Sequence, residues 1–325
     1  MKPVVCMFNL LAMLVLQGIG LPDAAAQPYP VKPIRSIAPM APGGFGDILL
    51  RAIGAELAKS LGQPVLVENR GGANTIIAGD TCAKAAPDGH TICMLTIDTL
   101  SYNPFLYKKP PYDAQKDFEP ITNLVYLTEG FLVNPALGVN TLGELIALAK
   151  AKPGALNYGS ISNNMVLFME NFTRDTGTDI KTIPFKGPAD AVTALLSGQV
   201  QIGVFGIGNL IGHLKSGKIK LLAVDGNHRS PLFPDVPTLE GAGYRGEPVR
   251  VWLGMVGPAG IPKPIVAKLN SEITRIVNVP SFKERYVTGQ GLEAILDTPE
   301  QFAQFLKEDR VRAEVLVKRS TLKPE

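Results

Sequence analysis

Short apolar runs with strand character recur along the chain, each separated from the next by a segment with helical punctuation. The runs cover 34–40, 64–67, 91–96, 121–134, 156–160, 181–185, 202–205, 221–224 and 251–256. Helix signals fill the gaps. Thr141 and Glu144 form a capping box closed by Pro153-Gly154, Pro188 stands in a first turn with Gly198 behind it, and Thr298-Pro299 with Gln301 opens the last helix. Repeated units of this kind predict an α/β fold with a mostly parallel sheet and helices on both faces. On such sheets, ligands bind outside the carboxyl ends of the strands, in the loops that lead into helices.

Three of those loops carry chemistry. Residues 41–47 read Ala-Pro-Gly-Gly-Phe-Gly-Asp, between the first apolar run and an amphipathic stretch at 48–61. The first amides of a helix have no internal partner and carry the positive end of its dipole, so this turn is a candidate anion cradle. Glycine lets backbone approach a ligand closely, although many strand-to-helix turns use it for geometry alone. A second loop is Glu68-Asn69-Arg70-Gly71-Gly72-Ala73-Asn74. The third is Ser160-Ile161-Ser162-Asn163-Asn164, where helix capping accounts for one or two of four polar side chains but not readily for all.

The start of the chain says where such loops work. A basic head, an apolar stretch at 4–21 and the small residues Ala24-Ala25-Ala26 read as a secretory signal peptide over 1–26, which places the mature protein in the periplasm. No other segment is long enough to span a bilayer. Some 300 mature residues make roughly two domains. With 46% apolar residues, each has material for its own core. The 32 basic and 29 acidic residues leave a net charge of only +3, scattered without aromatic interleaving, so no nucleic-acid partner is expected. Cys82 and Cys93, the only cysteines beyond the leader, form either one disulfide or two buried thiols.

Motifs in a fixed order run the length of the mature chain. Ala-Pro-Gly-Gly-Phe-Gly-Asp at 41–47, Glu-Asn-Arg-Gly-Gly-Ala at 68–73 and Pro-Asp-Gly-His-Thr at 87–91 come first. Asn103-Pro104, Tyr112-Asp113, Pro184-Phe185-Lys186-Gly187 and Leu196-Ser197-Gly198-Gln199-Val200 follow, then Pro234-Asp235-Val236-Pro237-Thr238, Trp252 and Gly257-Pro258-Ala259-Gly260-Ile261-Pro262. Each is weak alone. Together they resemble the tripartite tricarboxylate transporter receptors, the Bug-type solute-binding proteins.

The resemblance implies a periplasmic-binding-protein fold of the type II kind, with two βα domains joined by two hinge strands around a ligand cleft. It places domain 1 at 27–126 plus 251–325 and domain 2 at 127–250, with crossovers near 125–133 and 251–256. It implies a monomeric receptor that captures a small carboxylate by closing and delivers it to membrane permease subunits, without cofactor or metal. In the family, the loops after the first and fifth strands hold the ligand. Pro42, Gly43, Gly44, Phe45 and Asp47 match the first of these, and Tyr158, Gly159 and Ser160 begin the second, which continues through Ser162, Asn163 and Asn164. Asp47 caps its helix, meets a ligand amine or holds the loop together, with capping foremost; Asn69 is expected to buttress loops. Phe185 and Lys186 stand at a strand end facing the cleft, where Lys186 either pairs with a second carboxylate or is solvated.

Gly71 and Asn74 replace common family residues near the cleft, and the main departure from the family pattern falls on the loop at 160–164. A glycine-rich segment followed by His-Leu is usual there, whereas this chain has Ser160 to Asn164 followed by Val166-Leu167, two residues shorter, so ligand identity does not transfer. The main rival class is a secreted hydrolase. No Gly-x-Ser-x-Gly elbow, His-Glu-x-x-His or cysteine-histidine ligand set supports it, and His90, His213 and His228 read as surface or capping residues. A receptor that reports to a sensor protein is the other alternative.

Overall fold

The computed structural model describes residues 29–248 and 250–324. The leader assigned to 1–26 lies outside them. From the N-terminal side come β1 (Ile34–Ala38), α1 (Phe45–Leu61), β2 (Val65–Asn69), α2 (Ile76–Ala83), β3 (Thr91–Thr96), a π-helical turn at Asp98–Tyr102, α3 (Asn103–Leu106) and β4 (Phe118–Leu127). Then follow β5 (Glu129–Val133), α4 (Leu142–Ala151), β6 (Leu156–Ser160), α5 (Asn163–Thr176), β7 (Ile180–Pro184), α6 (Pro188–Ser197), β8 (Ile202–Gly206), α7 (Ile211–Lys215) and β9 (Lys220–Val224). The chain ends with β10 (Trp252–Pro258), α8 (Lys263–Val277), α9 (Pro280–Tyr286), β11 (Leu292–Ala294) and α10 (Pro299–Arg319).

These strands form two sheets, one of six strands in the order β11-β4-β10-β3-β1-β2 and one of five in the order β7-β6-β8-β5-β9. Within each, the βαβ units are parallel: β1 pairs with β2 and β3, and β6 with β7 and β8. β10, β11 and β5 run the other way. β10 is antiparallel between β3 and β4, β11 is antiparallel to β4, and β5 is antiparallel between β8 and β9. The sheets are therefore mixed rather than mostly parallel. Apolar patterning cannot report this, because a strand buried on both faces reads the same in either direction.

The run at 121–134 divides at Thr128, and the division is the hinge. Before it the chain belongs to the six-stranded sheet, after it to the five-stranded one. Thr128 donates its amide to the carbonyl of Gly291 at 2.9 Å and accepts from the amide of Ile207 at 3.1 Å, so one residue is tied to both sides. The second crossing leaves β9 at Asp225 and enters β10. Asp225 accepts from the Glu129 amide at 2.7 Å and from the Arg250 amide at 3.0 Å, so one buried carboxylate clips both crossings together. Burial lifts Asp225 to about 7, against the pull of those two backbone donors. Burial and the nearby Asp225 charge push Glu129 well above the ordinary carboxylate range.

Local signals account for most boundaries. Thr298 accepts from the Gln301 amide at 3.2 Å while Gln301 reaches back to the Thr298 amide at 2.9 Å, a complete capping box. Trp252 is buried edge-on against Phe302 and Phe305 and donates its indole N–H to Asp309 at 3.2 Å. Cys82 on α2 is joined to Cys93 on β3, with 6.2 Å between the Cα atoms. β11, three residues long, is too short to show a period in sequence. His90 is buried against the edge of the Tyr29 ring, its Nε2 3.3 Å from the Val31 amide, so it is a packed residue and not a surface one.

Candidate functional site

The site is built from the loops that leave the C-terminal ends of β1, β3 and β6. Gly43 sits at φ +85°, a left-handed conformation that glycine adopts without strain. Gly44 is the N-cap of α1 and offers no side chain, so side-chain capping leaves the first-turn amides of the helix free. A Cβ built on Gly44 would meet only the Ala41 carbonyl, at 3.8 Å, so the space beside this residue is open. Pro42 and Gly43 are exposed, and Phe45 is half-buried.

Asp47 does not cap α1 by the usual route. Its carboxylate accepts from the Gly43 amide at 2.9 Å, from Arg51 at 3.0 Å and from Asn69 at 2.8 Å. Asn69 also donates to the Met40 carbonyl at 2.9 Å and accepts from Arg51 at 2.9 Å. Burial opposes the Asp47 charge, yet hydrogen bonds from Arg51, Gly43 and Asn69 outweigh it and hold the pKa below the ordinary value. Asp47 and Asn69 thus fix the shape of the glycine loop from behind. Asp47 stands at the third helical position, where a carboxylate reaches back along the chain instead of forward as an N-cap does.

The second loop bonds mainly to itself. The Ser160 hydroxyl donates to the Ser162 carbonyl at 3.1 Å, and the Ser162 hydroxyl donates to Oδ1 of Asn164. Ser162 is the N-cap of α5, but its side chain caps nothing. The polar cluster is therefore not explained by capping. Ser160 and Asn164 are buried, while Ser162 and Asn163 are half-buried. Behind this loop, the Phe185 ring lies over Gly159 and packs into the core of the five-stranded sheet. Lys186 next to it is exposed.

Sequence reasoning missed a third contributor. Asp98, at the end of β3, is 7% exposed and lies near the backbone amide of Asn164 in the first turn of α5, which favours its charged form. The turn it opens, Asp98–Tyr102, packs against α5, so Asp98 stands where the two halves of the site meet. Burial raises Asp98 to about 6, with Asn74 and the Asn164 amide opposing the rise. Asn74 belongs to three consecutive left-handed residues, Ala73 at φ +47°, Asn74 at +47° and Thr75 at +67°. Such backbone strain gathers at functional sites. Reciprocal hydrogen bonds with Asn103, at 2.8 and 2.9 Å, hold Asn74 in place. The single available signal was an aspartate inside an apolar run at a strand end.

The site thus has two uncapped helix N-termini on two sheets joined by a double hinge. Open cavities of about 340 and 280 Å³ lie elsewhere, the first between α8 and α9, the second beside the hinge around Asp225, His228 and Glu293. Neither includes a residue of these loops. Among the described residues no helix is long and apolar enough to cross a membrane, and no histidine, cysteine, aspartate and glutamate cluster could hold a metal.

Residues 49–322 match the model of the tripartite tricarboxylate transporter family receptor. The chain belongs to that family. BugT of Bordetella pertussis is 32% identical over 295 residues, 90% of each chain. MatC from Rhodopseudomonas palustris, solved with bound malate, is 32% identical with a TM-score of 0.78 over 89% of this chain and 100% of that one. An R. palustris protein, Rpa4515, solved with adipate, is 27% identical with a TM-score of 0.84 over 91% of this chain and 100% of that one. The fold is thus that of a Bug-type periplasmic solute-binding protein, and the family is one of receptors rather than an enzyme class.

Proposed function

We propose that this receptor captures a small carboxylate between the loop at 42–47 and the loop at 160–164, closes around it, and delivers it to the permease of a tripartite tricarboxylate transporter. The lobes of this motion are 27–126 with 251–325, and 127–250. The observation that carries the reading is the paired arrangement of α1 and α5. Each presents first-turn amides without a side-chain cap, from opposite sides of a hinge tied at Thr128 and Asp225. Hydrogen bonds to a charged acceptor contribute about 1.5–3 kcal/mol each, so a few converging amides support micromolar capture without an arginine clamp. Malate and adipate, named with the two similar structures, are both small dicarboxylates.

The test is a melting screen of the mature protein against dicarboxylates, tricarboxylates, acidic amino acids and aromatic acids. A ligand at 100 times its dissociation constant adds about 2.7 kcal/mol, which for a chain of this size raises Tm by roughly 4 °C. No shift with any carboxylate, or turnover of a compound that binds, contradicts the proposal.

A further inference from the structure

The α5 side of the cleft already contains a carboxylate. The turn that Asp98 opens packs against α5, and the Asp98 carboxylate lies near the backbone amide of Asn164, the kind of first-turn donor that attracts a ligand anion. Its other contact is loose, with Nδ2 of Asn74 3.5 Å from Oδ1. Among the described residues no lysine or arginine bonds to it. Beside it, the Asn164 side chain is 4% exposed; Oδ1 accepts from Ser162, while Nδ2 has no partner among the described residues. Buried donors are rarely left unpaired in a folded protein, and an orphan in a binding cleft marks where a ligand atom belongs.

The site therefore offers an under-used acceptor, Asp98, next to an unused donor, Asn164 Nδ2. A second ligand carboxylate would satisfy the donor but meet a like charge where little water is left to screen it. A carboxamide or a hydroxyl satisfies both groups at once, donating to Asp98 and accepting from Asn164. Resting on the capture of one carboxylate proposed above, we infer that Asp98 and Asn164 select the ligand's second polar group: an uncharged donor-acceptor, carboxamide or hydroxyl, in preference to a second carboxylate. Asp98 is then a specificity-determining residue.

The test is calorimetric titration of the mature protein at pH 8 with diacids and their half-amides of equal length: succinate against succinamate, glutarate against glutaramate, adipate against adipamate. The half-amide is expected to bind at least tenfold more tightly in the pair whose length fits. In Asp98→Asn, which removes the charge but keeps the size, the preference is expected to fall below threefold or reverse. The ranking in the unaltered protein needs no variant to fold. A diacid that binds as tightly as its half-amide, or more tightly, overturns the inference and leaves carboxylate capture standing. An unchanged preference in a folded Asp98→Asn protein overturns the role of Asp98. Failure of every diacid and half-amide to bind overturns the inference, while capture of one carboxylate stands or falls with the melting screen.

Discussion

Gly208 offers a direct way to load the hinge. It lies in the turn after β8, on the five-stranded side, and a Cβ there would fall 1.9 Å from the carbonyl oxygen of Gln290 and 2.7 Å from its carbon, on the six-stranded side. Both are backbone atoms, so no side-chain rotation relieves the clash. Ordinary contact starts at 3.4 Å, so the two segments must part by about 1.5 Å in a region packed at crystal density. They flank Thr128, which accepts from Ile207 and donates to Gly291, so parting them pulls on the first crossing. Overpacking of this size costs about 1–3 kcal/mol, and rotation of the lobes away from each other relieves it. Gly208→Ala is therefore expected to weaken ligand binding by roughly 5- to 150-fold, while the unliganded protein keeps its secondary structure. Calorimetric titration with a carboxylate found in the melting screen reads the effect. Unchanged affinity in a folded Gly208→Ala protein would refute the coupling of this contact to lobe closure.

Three further outcomes follow from the same geometry. Gly44→Val places a branched side chain in the open space beside α1 at a residue whose φ of −73° suits any amino acid, so the fold survives; calorimetry should find no binding, and retained binding would make the loop a connector only. Replacing Cys82 and Cys93 together by alanine opens an 11-residue link and lowers stability by about 3 kcal/mol, read as a shift in urea midpoint. The hinge carboxylates set a pH dependence. Asp225 has its pKa raised from 3.8 to about 7 on folding, so its stabilising contribution is complete below pH 3.8 and is lost as pH rises through 7. Urea midpoints measured from pH 4 to 8 should fall with pH in the native protein and fall less steeply in Asp225→Asn.

Much of this architecture was legible in sequence because its determinants are local. Caps, first-turn prolines and the glycines of the 41–47 turn act within four residues, and strands at 91–96 and 156–160 coincide with their apolar runs. The apolar pattern ran through the break at Thr128, which is set by partners at 207 and 291; only the family resemblance put a crossing near 125–133. The antiparallel course of β5 and β10 escaped for the same reason. In the site, the backbone character of the first loop could be read from its glycines. Asp47 appeared as a capping residue because the aspartate stands near a helix start, whereas its real partners, Arg51 and Asn69, come from the helix and from β2. Asp98 went unseen because a single aspartate in an apolar stretch carries no period or motif. Only the approach of α5 gives it a role.

A crystal structure of the mature protein with the best ligand of the melting screen is the sharpest test of the two-loop site. The expected structure holds one ligand between 42–47 and 160–164, its carboxylate on the first-turn amides of α1 and both hinge crossings still tied by Asp225. A ligand bound in the cavity between α8 and α9 or beside the hinge, with the two loops empty, would contradict it.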